Sequence, residues 1–83
     1  MNWKNKVKIK DLLTEEEDYE SVKRSMAAIA DVLYKTPCFA GFKEKNKFRE
    51  IPEGNEILGP VDFANKLMDR LYDYADKNSI WIE

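Results

Sequence analysis

The chain contains no histidine and only one cysteine, Cys38. Without histidine, Ser–His and Cys–His catalytic pairs are excluded. One thiol and no imidazole leave no structural zinc site. An intramolecular disulfide is excluded too, and a lone thiol fits a reducing compartment, so the cytoplasm is the expected location. Glycine is scarce, and the three that occur, at 41, 54 and 59, are too scattered to cradle a phosphate. No apolar run approaches the ~18 residues of a membrane span, so no membrane partner is expected. Met1-Asn2-Trp3-Lys4-Asn5-Lys6 is basic but leads into no apolar stretch, so no secretory leader is expected. Repeats and low-complexity segments are absent. Acidic runs are the remaining source of catalytic or metal-binding groups. Successive carboxylates on one helical turn point in different directions, so they read as a solvated helix end. No catalytic residue, metal or cofactor is expected.

What is present is enough for one small domain spanning residues 1–83. Hydrophobic residues make up 43% and aromatics 12%, too much for a disordered chain. Charged residues make up 36%, of both signs, for a net charge of −2. A domain of this size buries a modest share of its surface and is marginally stable. With disulfide and metal excluded, association into a homodimer is the stabilising device that remains.

Hydrophobic periodicity divides the chain. In 5–10, Val7 and Ile9 alternate with Lys6, Lys8 and Lys10, the pattern of a half-buried strand. Its lysines would discourage pairing at an edge. In 14–35, Tyr19, Val22, Met26, Ile29, Ala30 and Leu33 form one helical stripe. Thr14 and Glu17 make a capping box, Glu15, Glu16 and Asp18 add negative charge at the helix start, and Pro37 ends the helix. Residues 37–59 have no strong period. There Phe48-Arg49-Glu50-Ile51 is expected to form a short strand near Phe42. In 60–77, Val61, Ala64, Leu67, Met68, Leu71 and Ala75 form a second stripe, flanked by Tyr72 and Tyr74. Pro60 suits the first helical position, Asp62 the first turn, and Asn78 the position after the helix end. Residues 79–83 read as a strand, with Ile80 and Ile82 inward and Trp81 outward. The expected fold is a small two-layer α+β domain, strand–helix–loop–helix–strand. Two amphipathic helices would pack on a sheet that joins the two ends of the chain. Two strands alone make a weak sheet, so the middle segment or a second protomer would add to it.

Two sets of residues are candidates for function. The first is aromatic: Trp81, Phe39, Phe42 and Phe48 belong to neither helical stripe, and aromatics are enriched at binding hot spots. The competing reading places Phe39 and Phe42 in the core and lays Trp81 over the stems of Lys6, Lys8 or Lys10. Glu15, Glu16 and Asp18 would add electrostatic steering. The second set is basic: Lys6, Lys8 and Lys10, with Lys43, Lys45, Lys47 and Arg49. Brought to one face, these would contact phosphates, with Phe48 or Trp81 as a stacking surface.

The first set implies a non-enzymatic protein–protein interaction module, a small regulator or inhibitor that self-associates. The alternative is a nucleic-acid-binding or nucleic-acid-mimicking accessory protein. In its short, charged strand–helix–loop–helix–strand plan the chain resembles the small accessory proteins of phages and mobile elements, in general style alone. The two periodic segments predict a circular dichroism spectrum dominated by about 40 helical residues. A mainly β spectrum would overturn the α+β assignment.

Overall fold

The computed structural model describes residues 5–13, 18–52 and 58–83, with the side chains of Asn5 and Leu58 left out. Strand β1 (Asn5–Val7) leads into a 3-10 turn at Lys10–Leu12. Helix α1 (Tyr19–Lys35) follows, then 3-10 segments at Pro37–Phe39 and Lys43–Arg49. Helix α2 (Leu58–Lys77) and strand β2 (Ile80–Ile82) complete the order. This is a small α+β domain.

The two strands pair in parallel, with Asn5 opposite Ile80, Lys6 opposite Trp81 and Val7 opposite Ile82. The ladder runs one step further: Glu83 N–H donates to the Val7 carbonyl at 2.9 Å, and Ile9 N–H donates to the Glu83 carbonyl at 2.8 Å. The alternation expected for 5–10 is present, with Val7 and Ile9 buried and Lys6, Lys8 and Lys10 exposed. The strand itself is shorter than its pattern. Ile9 leaves the extended region, at φ −115° and ψ −35°, and starts the 3-10 turn.

Helix α1 buries Val22, Met26, Ile29, Ala30 and Leu33, the stripe read from the sequence, together with Ser21 and Ser25. Its first backbone bond runs from Val22 N–H to the Asp18 carbonyl at 3.0 Å. The Thr14–Glu17 capping box lies outside the described residues. At the other end Thr36 is extended, at φ −104° and ψ 112°, as a residue before proline must be to avoid the Pro37 ring. Helix α2 starts two residues earlier than expected. Pro60 is therefore its third residue, still within the first turn, where an N–H has no intrahelical acceptor. Asp62 falls just beyond that turn and pairs with Lys66 at 3.1 Å.

Two expectations fail here. The left-handed residue after α2 is Ser79, at φ 58°, and not Asn78. Asn78 instead caps the helix through its side chain, donating from Nδ2 to the Tyr74 carbonyl at 2.9 Å. More consequential is the middle segment. No strand forms at 48–51; Lys43–Arg49 is a 3-10 helix. Phe39 ends the 37–39 segment, Phe42 is the extended residue before 43–49 and Phe48 lies within it; all three are buried, at 0%, 2% and 0% exposure. Two of the rings meet Tyr74 of α2, Phe42 at 5.2 Å and Phe39 at 6.2 Å between centroids. Phe48 meets Phe42 edge-on at 6.1 Å. Helix α1 lies mainly against the 43–49 segment, and β2 against α2. One continuous core joins these pieces, running from Val7 and Ile9 through the helical stripes to Ile80.

Leu71 sits in this core with no exposed surface. Leu71→Ala is expected to lower unfolding free energy by about 2 to 5 kcal/mol. Equilibrium urea denaturation checks this, and a loss under about 0.5 kcal/mol would place Leu71 outside the core.

Candidate interaction surface

Tyrosine and tryptophan are favoured at contact surfaces because each offers a large apolar area with a polar handle and few rotamers to freeze. Most of the large apolar side chains are used up in the core. Among the described residues, Leu13, Tyr34, Tyr72 and Trp81 remain exposed. Two of them come together. Tyr72 and Trp81 line a shallow groove of about 240 Å³ with Ala75, Asp76, Ile80 and Ile82. Asp76 is the one charged residue of the six. The groove exists because the left-handed turn at Ser79 lays β2 against the last turns of α2.

Backbone geometry gives this groove a second property. The peptide groups of a strand face alternate sides. Glu83 directs both its N–H and its carbonyl to β1. The register then requires Trp81 to do the same. Ile80 and Ile82 consequently aim their N–H and carbonyl groups away from β1. Among the described residues no backbone group bonds them there. Among the described residues β2 is thus an edge without a backbone partner, with a groove of mixed polarity beside it. Trp81 stands on the outer face, 56% exposed, with Lys6 Nζ 5.9 Å from its ring centroid. Lys6 also bonds Glu83 Oε1 at 2.9 Å, and this bond holds the Glu83 carboxyl below the usual carboxylate range. Of the lysines expected to lie against Trp81, Lys6 brings its ammonium near the ring, and most of the indole stays exposed.

The other aromatic candidates are corrected. Phe39, Phe42 and Phe48 are core residues and offer no surface to a partner, because Phe39 and Phe42 pack on Tyr74 and Phe48 packs on Phe42. Glu15 and Glu16 lie outside the described residues, and Asp18 is exposed at the start of α1. Tyr72 is the exposed aromatic of the groove that periodicity alone did not single out. It flanks the stripe of α2, and its meeting with Trp81 depends on the turn between them.

The basic candidates are exposed or half-buried, and several are already engaged. Arg49 pairs with Asp31, and its guanidinium lies 4.5 Å from the Tyr34 ring centroid. Lys45 Nζ lies 5.4 Å from the same centroid and donates to the Ala40 carbonyl at 3.3 Å. Lys43 lines a second groove of about 490 Å³ that carries both signs of charge. In it Arg70 pairs with Glu44 at 3.5 Å and Lys77 with Asp73 at 3.1 Å. Lys8, Lys10 and Lys47 are exposed. β1 and the 43–49 segment are not among the elements that pack closely on one another.

Among the described residues, no three His, Cys, Asp or Glu side chains gather in a way that would hold a metal ion. No described helix is long and apolar enough to cross a membrane. Compared with known protein families, curated proteins and solved structures, the chain has no match. The half-buried Cys38 thiol is pushed up from its ordinary pKa by burial, against a weaker backbone hydrogen bond that lowers it. A thiol raised in this way is protonated at neutral pH and is a poor nucleophile. Alkylation of the folded protein by iodoacetamide is expected to be slower than that of the unfolded chain, with a midpoint shifted to higher pH. Equal rates in the two states would show a thiol not burdened by its surroundings.

Proposed function

We propose that the protein is a non-enzymatic protein-interaction module, a small regulator or inhibitor that acts by occupying a partner's surface. Its contact site is the open edge of β2 with the adjoining Tyr72–Trp81 groove. The observation that carries this reading is the coincidence of two features at one place. An unpaired strand edge supplies directional backbone donors and acceptors, and an aromatic pair supplies apolar area. Extended segments that add to a sheet edge use this combination: main-chain bonds give affinity and side-chain pockets give specificity. The lone, protonated Cys38 fits action in a reducing compartment, in keeping with a cytoplasmic site.

Phosphate recognition has less support. Three of its seven basic residues are occupied, Lys6 by Glu83, Arg49 by Asp31, and Lys45 by the Ala40 carbonyl and the Tyr34 ring. The groove beside Trp81 carries an acid and no base. A contact centred on aromatics and backbone is weakly sensitive to salt, whereas phosphate binding falls steeply with it.

Site-specific photo-cross-linking tests the reading. With benzoylphenylalanine at position 72 or 81, irradiation of expressing cells is expected to give a cross-linked protein adduct. The same group at exposed Lys47 is expected to give none. Adducts from Lys47 alone, or none from any of the three, would refute it.

A further inference from the structure

We infer that the occupant of the β2 edge is a second copy of this chain, paired antiparallel across a two-fold axis at Trp81. The inference rests on the interaction reading above and names the partner.

The two edges of the sheet differ in charge. β1 runs into Lys6, Lys8 and Lys10, all exposed, and lysines along an edge discourage further strands. β2 presents Ile80, Trp81 and Ile82, with no charge within the strand. The open side of the sheet is therefore the β2 side. A two-stranded sheet is marginal by itself, and pairing through β2 would make it four-stranded.

The sequence of β2 is self-complementary in one register. When Ile80 of one copy faces Ile82 of the other, all the outward N–H and carbonyl groups of both residues are paired. Position 81 then faces its own counterpart on the axis, as a non-hydrogen-bonded pair, where cross-strand side chains come closest. Two tryptophans in that position gain aromatic contact beyond their buried area. On the outer face the order across the four strands becomes Lys6, Trp81, Trp81, Lys6. Each indole then has a cation on one side, already seen at 5.9 Å, and a ring on the other. On the inner face, isoleucine meets isoleucine. Glu83 faces Ser79 of the second copy, so no like charges stand opposite one another. A closed two-fold contact of this kind uses the same patch twice and leaves no open β2 edge. An arbitrary partner segment would need to match this pattern; a second copy matches it by construction.

A charge-swap experiment tests the register. Trp81 is exposed, so Trp81→Glu and Trp81→Lys should both fold, as circular dichroism will verify. Molar mass is measured by light scattering from about 1 µM to about 1 mM, the range over which small interfaces dissociate. The wild type is expected to dimerise, and each variant alone to be at least about ten-fold weaker, because like charges then face each other on the axis. An equimolar mixture of the two variants is expected to regain the dimer, as a heterodimer. A wild type that stays monomeric, a single variant that dimerises as well as the wild type, or a mixture that stays monomeric would each overturn the proposal. If the wild type is monomeric and position 81 still cross-links to a different protein, the second-copy inference falls and the interaction reading stands. If positions 72 and 81 both give no cross-link, both fall.

Discussion

Parallel pairing of β1 with β2 imposes the constraint on which the other elements depend. Parallel neighbours cannot be joined by a tight turn, so all of the chain between Val7 and Ile80 must serve as the connection. Both helices and all three 3-10 segments belong to that crossover, and the helices and the two later 3-10 segments bury apolar side chains before β2 returns. Closure at the seam is local and specific. The Glu83 carbonyl accepts from Ile9 N–H and Lys10 N–H, while Glu83 N–H donates to the Val7 carbonyl. Because β1 and β2 are far apart in sequence and meet only here, this seam exists only in the completed fold.

The crossover is filled by aromatic packing. Phe39, Phe42, Phe48 and Tyr74 form one cluster, and Tyr74 places its hydroxyl 3.4 Å from the Cys38 carbonyl, so its polar end stays bonded while its ring is packed. This cluster gives α1 something to pack on in place of a wider sheet. It also removes three phenylalanines from the surface. What remains outside is a small set of aromatics, and the turn at Ser79 gathers two of them beside an unpaired strand edge. Core formation and the choice of which aromatics stay exposed are in this sense one event.

Charge follows a similar logic. Blocks of one sign in the sequence are matched against partners in the fold: Lys6 with Glu83, Arg49 with Asp31, Arg70 with Glu44. Exposed pairs of this kind contribute little stability. Their consequence is that opposite charges lie close together on the surface, so basic blocks do not translate directly into a phosphate-binding face. Glu83 shows the pH sense of such a pair. With its pKa depressed by Lys6, its contribution is present above the ordinary carboxylate range and is lost as pH falls through the folded-state value.

By itself the sequence determined the features that depend on neighbours along the chain. The stripes of α1 and α2 carry a 3.6-residue period, the alternation at Val7 and Ile9 carries a period of two, and the extended residue before Pro37 follows from ring sterics. The outward position of Trp81 was legible for the same reason. Tertiary structure decided the rest. Phe39, Phe42 and Phe48 lie in a stretch with no strong period, too short to separate 3-10 segments from a strand until Tyr74 and α1 offer it a surface. The end of α2 turned on whether Asn78 or Ser79 takes the left-handed conformation, and the side-chain bond from Asn78 to the Tyr74 carbonyl goes with the second choice. Tyr72 and Trp81 became neighbours only through that turn. The site is thus half local pattern and half long-range geometry, because periodicity states which way a side chain points and only packing states what it meets.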